Sequence, residues 1–117
     1  MANEVSASVS LQLRLGALNT VKQSTGNADA ASPLASAGVM TVGTSEEAIP
    51  MGDVVAPGFA YFKNVGTNVV KIRPATGDGD LVSLKAGEAA LFPMVATAPY
   101  AIALVGNGQL EYHITSR

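Results

Sequence analysis

Apolar side chains recur at every second position from Val5 to Leu15: Val5, Ala7, Val9, Leu11, Leu13 and Leu15. Glu4, Ser6, Ser8, Ser10, Gln12 and Arg14 fill the places between. Strand side chains change face at each residue, so residues 4–15 predict one long strand with an apolar face for burial and a polar one. At about 3.3 Å per residue it reaches about 40 Å, roughly twice an average strand. A small domain does not need that length for its own core, so part of the strand is expected to pair elsewhere.

Residues 16–25, GALNTVKQST, continue as a second extended piece after a break at Gly16. The stretch GNADAASPLASAG (26–38) combines small polar residues with Pro33 and predicts an irregular loop. Loops of that length are usually functional, disordered, or ordered by a partner. VMTVGT (39–44) reads as a short strand, and Thr44 and Glu47 have the spacing of a capping box. Pro50 limits any helix there to one turn.

From residue 58 the rhythm is regular. FAYFKNV, VVKIRP, LVSLK, AALFPM, YAIALV and QLEYHITS are separated by turns of Gly, Asn and Asp. This predicts an all-β fold: an antiparallel, jelly-roll-like sandwich of eight or nine strands in two layers, with an extended N-terminal arm. YAIALV-GNG-QLEYHITS reads as a hairpin, with Leu110, Tyr112 and Ile114 inward and Gln109, Glu111 and His113 outward. Pro93 marks an edge strand or a bulge. Phe59 and Tyr61 share one strand face and read as core. The expected organisation is a single domain, with an arm and loop region over residues 1–52 and a compact core over 53–117.

Composition narrows the function. Of 117 residues, 48% are apolar and 14% charged, against a usual charged share of about 25%. So thinly charged a surface suits a protein covered by neighbours, and equally a β domain rich in Ser, Thr and Gly. A net charge of −2 with scattered cations gives no electrostatic footprint for nucleic acid. No apolar run is long enough for a membrane-spanning helix, and MANEVSASV does not read as a signal peptide, so synthesis in a cytoplasm is expected. The absence of cysteine excludes disulfides, thiolate metal sites and a Cys nucleophile.

Candidate chemistry is sparse. His113, the only histidine, falls on the polar face of the last strand, without the convergent nucleophile and orienter a triad needs. A cupin-type metal centre needs several His and carboxylate ligands. Asp78 and Asp80 in GDGD could offer oxygen ligands to calcium, but without the rest of a calcium-loop pattern they read as a turn in which Asp bonds its own backbone. Glu46 and Glu47 read as a solvated pair. No catalytic, cofactor-binding or metal-binding residue is assigned, and no enzyme activity is expected.

Three stretches carry a resemblance: Gly58 to Asn64, a glycine-aromatic strand running into an F-K-N turn; Leu84 to Glu88, LKAGE; and Leu110 to Tyr112, LEY. With GVMTVGTSEEAIPMGDV before them, they resemble small all-β virion structural proteins of tailed bacteriophages over roughly residues 38–117. The resemblance implies a non-enzymatic capsid decoration, or cement, protein that binds the assembled head and stabilises it. The alternative it implies is a head-fibre or tail adhesin binding a host-surface receptor or glycan. Expected partners are the major capsid protein or other virion proteins and further copies of the chain, with a trimer as the expected homo-oligomer. No nucleic acid or membrane partner is expected, and the implied location is the virion, after synthesis in the host bacterial cytoplasm. Partner contacts are expected at Gln12 and Arg14 of the first strand and at Asn27, Asp29 and Pro33 of the 26–38 loop.

Overall fold

A computed structural model describes residues 5–28 and 35–116. Among these residues the chain forms ten strands: β1 (Val5–Leu15), β2 (Leu18–Ala28), β3 (Ala35–Val42), β4 (Glu47–Ala48), β5 (Pro57–Asn64), β6 (Val70–Arg73), β7 (Val82–Leu84), β8 (Ala89–Pro93), β9 (Tyr100–Ala103) and β10 (Gly108–Ser116). β1 and β2 form a hairpin sheet of their own. The other eight form two four-stranded sheets, in the orders β3-β10-β5-β8 and β4-β9-β6-β7.

These orders define a jelly roll. The strand pairs β6–β7, β5–β8, β4–β9 and β3–β10 are all hydrogen-bonded and antiparallel. They nest around the β6–β7 turn as one long hairpin rolled into two layers. Alternation explains which face of each strand is buried. β10 buries Leu110, Tyr112 and Ile114 and exposes Gln109 and His113, as its sequence predicts. β5 buries Ala60, Phe62 and Asn64, while β6 buries Val70 and Ile72. Phe62 meets Phe92 with ring centroids 5.8 Å apart and planes tilted by 40°. Each large aliphatic or aromatic side chain so buried contributes about 1.5–3 kcal/mol.

The sandwich begins at Ala35, not at residue 53. β3 pairs with β10 and β4 with β9, and Val42 and Ile49 join the core. Of the predicted 26–38 loop, Gly26 to Ala28 complete β2 and Ala35 to Gly38 begin β3, and residues 29–34 lie outside the described residues. No helix follows Thr44. Glu47 instead reaches back so that its Oε2 accepts the Gly43 N–H.

The GNG segment does not close a hairpin. β9 lies in one sheet and β10 in the other, so the segment turns a corner between layers. A Cβ on Gly108 would sit 2.6 Å from Val70 Cγ2, so glycine there lets β10 start against the opposite sheet. Gly106 (φ +65°) helps the turn, as it would in a hairpin, which is why the local sequence misleads. The β5–β6 connection makes the same crossing, and the two are stitched together. The Val65 N–H donates to Gln109 O at 3.0 Å, and Asn68 Nδ2 to Asn107 O at 2.7 Å. Pro93 sits on β8, an edge strand, where its missing N–H costs no ladder bond.

Candidate functional site

The long first strand finds its partner in β2. Their register runs unbroken from Val5↔Ala28 to Leu15↔Leu18, with a two-residue loop at Gly16 and Ala17. Gly16 takes φ +59°, the positive angle that tight hairpin loops require at their first position. The radius of gyration is 15.3 Å, against about 13 Å for a compact domain of this length, consistent with a limb set off from the sandwich.

Cross-strand partners in a ladder share a face, so Ala7, Val9 and Leu11 lie with Gly26, Ser24 and Lys22. The base of this face rests on the sandwich. Ala7, Val9 and Gly26 meet Phe59, Leu91 and Pro93 around a groove of about 190 Å³. A Cβ on Gly26 would lie 3.4 Å from Phe59 Cζ, so glycine allows the hairpin to settle close to the ring. The groove is smaller than the pockets that take drug-sized ligands, about 300 Å³ and above. Farther along, Val9 remains 49% exposed and Leu11 63%. Among the described side chains of the apolar stripe, Ala7 is half-buried while Val9 and Leu11 stay open.

Phe59 and Tyr61, read as core, instead point outward from the first sheet and are half-buried. The alternation of β5 sends Ala60 and Phe62 inward and Phe59, Tyr61 and Lys63 out. Across that outer face the registers align Ala37 with His113, Tyr61 and Leu91, and Val39 with Glu111 and Lys63. Val39 is 60% exposed. A shallow groove of about 190 Å³ runs among Ala37, Val39, Tyr61, Glu111 and His113. His113 is exposed, and its cross-strand neighbours are Ala37 and Tyr61.

The residues expected to contact partners divide. Gln12 is exposed and pairs with Val21, on the hairpin face opposite Val9 and Leu11. Arg14 and Asn27 are placed by register, opposite Asn19 and Ser6. Asp29 and Pro33 lie outside the described residues. The exposed apolar residues Val9, Leu11 and Val39 were missed by sequence reasoning, because an alternating stripe carries no mark of whether anything covers it.

The outer face of the second sheet has the opposite character. Asp80 binds Lys71 Nζ at 2.9 Å and Arg73 Nε at 2.9 Å, and Arg73 Nη1 also reaches Glu46 at 2.8 Å. The Gly77 N–H donates to both Glu46 carboxylate oxygens, at 3.1 and 3.3 Å. The Arg73 hydrogen bond, then the Gly77 amide, hold the Glu46 carboxyl below the ordinary range; Lys71 and then Arg73 do the same for Asp80. Glu46 is therefore no solvated residue, and the Asp80 carboxylate of GDGD is occupied by two cations. No group of three or more His, Asp or Glu side chains that could hold a metal ion occurs among the described residues.

No protein-family model matches the chain, and a search of curated proteins finds no match. Among solved structures it is similar to a cupin superfamily protein from Desulfitobacterium hafniense, at 15% identity and a TM-score of 0.38, over 98% of this chain and 81% of that one. The jelly-roll assignment rests on the strand pairing above, and nothing about function is drawn from that likeness.

Proposed function

We propose that the chain is a non-enzymatic structural protein of a tailed-bacteriophage virion, a decoration protein that binds the assembled head and stabilises it. The observation that carries this reading is the hairpin: a ribbon set off from a completed sandwich, with Val9 and Leu11 left open to a partner. Two-stranded hairpins are marginal alone in water, and exposed aliphatic side chains on one gain most from being covered. The residues behind the phage-protein resemblance also suit a scaffold. Asn64 and Glu88 bind backbone groups of their own turns.

A decoration protein stabilises a shell by mass action: it binds the assembled lattice and not the free subunits, so each bound copy opposes disassembly. The major capsid protein is the corresponding partner. Gold-conjugated antibody against the chain, applied to intact particles of the phage that encodes it, is expected to label the head regularly. Label confined to the tail or fibres would transfer the chain to the adhesin reading, and bare particles would overturn both. Removing residues 5–28 is expected to abolish cosedimentation with heads while the sandwich stays folded. Undiminished cosedimentation would remove the hairpin from the interface.

A further inference from the structure

We infer that Asp78 is a modification site: in the folded protein it isomerises to isoaspartate through a cyclic imide with Gly79, and the lengthened link loosens the grip of Asp80 on Lys71 and Arg73. The site lies in the link between β6 and β7 and owes nothing to the decoration role.

An Asp or Asn side chain closes most readily on the next backbone nitrogen when glycine carries it, because glycine puts no side chain in the way and has the freest backbone. Two such pairs occur, Asp78-Gly79 and Asn107-Gly108. By sequence the second leads, since near neutral pH a side-chain amide loses ammonia more readily than a carboxylate loses its oxygen. The fold reverses that order. Gly108 is buried, pairs with Val42 as the first residue of β10, and has Val70 Cγ2 2.6 Å from where a Cβ would stand. Asn68 Nδ2 holds Asn107 O at 2.7 Å, so the backbone on both sides of the bond that must swing is fixed. Asp78 and Gly79 are exposed, and nothing lies within 4 Å of a Cβ built on Gly79. The Asp78 N–H donates to Ala75 O at 3.2 Å, but among the described residues nothing engages the Asp78 carboxylate or the Gly79 N–H.

The chemistry balances with water alone. The Gly79 nitrogen attacks the carboxyl carbon of protonated Asp78; a C–N bond forms, the nitrogen gives up its proton, and the carboxyl hydroxyl leaves as water. Water then opens the imide at either carbonyl. Breaking the new bond restores Asp78, whereas breaking the original peptide bond leaves Gly79 attached through the side-chain carboxyl. That product is isoaspartate, whose main chain is longer by a methylene. Asp78 stands between two anchors of its loop: the Gly77 N–H bound to Glu46, and the Asp80 carboxylate bound to Lys71 and Arg73. A longer link between them shifts Asp80 against the sheet.

The test holds the folded protein for weeks near neutral pH, then probes its peptides with a protein isoaspartate methyltransferase and labelled S-adenosylmethionine. Methyl acceptance is expected in the peptide that contains Asp78, without a change of mass, while the Asn107 peptide stays unmodified. In guanidinium chloride the order should return to that of the sequence, with Asn107 deamidating first. Asp78→Glu, whose longer side chain closes the ring poorly, should lose the signal at unchanged Tm. The isoaspartyl form, separated by ion exchange, should melt below the unmodified protein at neutral pH, and the difference should vanish in an Asp80→Asn background. No isoaspartate at position 78 in the folded protein when the unfolded chain forms it there, or Asn107 modified first in the folded protein, would overturn the site. An isoaspartyl form with unchanged Tm would overturn its link to Asp80.

Discussion

Asn64 is polar and fully buried at the end of β5. Its Nδ2 donates to Asn68 O at 2.7 Å and Leu84 O at 2.9 Å, and its Oδ1 accepts the Gly66 N–H at 3.0 Å. One side chain thus ties the β5–β6 crossing to the end of β7. Asn64→Ala should cost about 2–4 kcal/mol, because partners left buried and unbonded cost more than the bonds contributed; urea unfolding measures this. An Asn in a turn is so ordinary that the sequence marks its place and not its burial. The Glu46–Arg73–Asp80 cluster was equally illegible, since Arg73 lies on β6, far along the chain from Glu46, and meets it only through folding. Its acids are held below their ordinary values, so their stabilisation is complete above the unfolded-state pKa values, about 4. It is lost as pH falls through the lower folded values. Arg73→Ala should therefore lower Tm near neutral pH, with the gap from wild type narrowing as pH drops below about 4. A gap constant with pH would show that the ion pairs contribute nothing.

At the scale of elements, alternation made β1 and β10 legible, because each sets apolar residues to one side; β5 carries them on both, Ala60 and Phe62 inward and Phe59 and Tyr61 outward, which is why its faces were exchanged. β2 was harder. From Thr20 to Gly26 its side chains are exposed or half-buried on both faces, LNTVKQSTGNA carries no stripe, and only pairing with β1 makes it a strand. The GNG corner was misread for a related reason: a positive-φ glycine serves a hairpin loop and a sheet-to-sheet crossing alike, and what separates them is the opposite layer pressing on Gly108. Gly16 offers a test of the hairpin as an element. Nothing lies within 4 Å of a Cβ built there, so Gly16→Val acts through backbone strain alone, about 1–2 kcal/mol. Hydrogen exchange should then accelerate across residues 5–28 and stay unchanged in β5 and β10. Uniform acceleration would mean that the hairpin and sandwich unfold as one unit.

For the whole molecule, the nested pairing sets an order of assembly. β6 and β7 are joined by a short link, whereas β3 and β10 lie at opposite ends of the rolled hairpin. Loop-closure entropy rises with the length of chain enclosed, so outer pairs become cheaper once inner ones have formed. Folding is expected to start around β6 and β7 and finish with β3 against β10, and such non-local topology makes it slow. Ile72 and Val42 test this, both fully buried, one in β6 and one in β3. Ile72→Val should cost about 1 kcal/mol, felt mainly as slower folding, while Val42→Ala should mainly speed unfolding. Stopped-flow chevrons separate the two arms. A folding rate more sensitive to Val42 than to Ile72 would mean that the ends of the roll meet first. The β1–β2 hairpin stands outside this nest, since its sheet shares no strand with the sandwich. The hairpin can therefore be varied without breaking any strand pairing of the sandwich, as the proposed interaction arm requires.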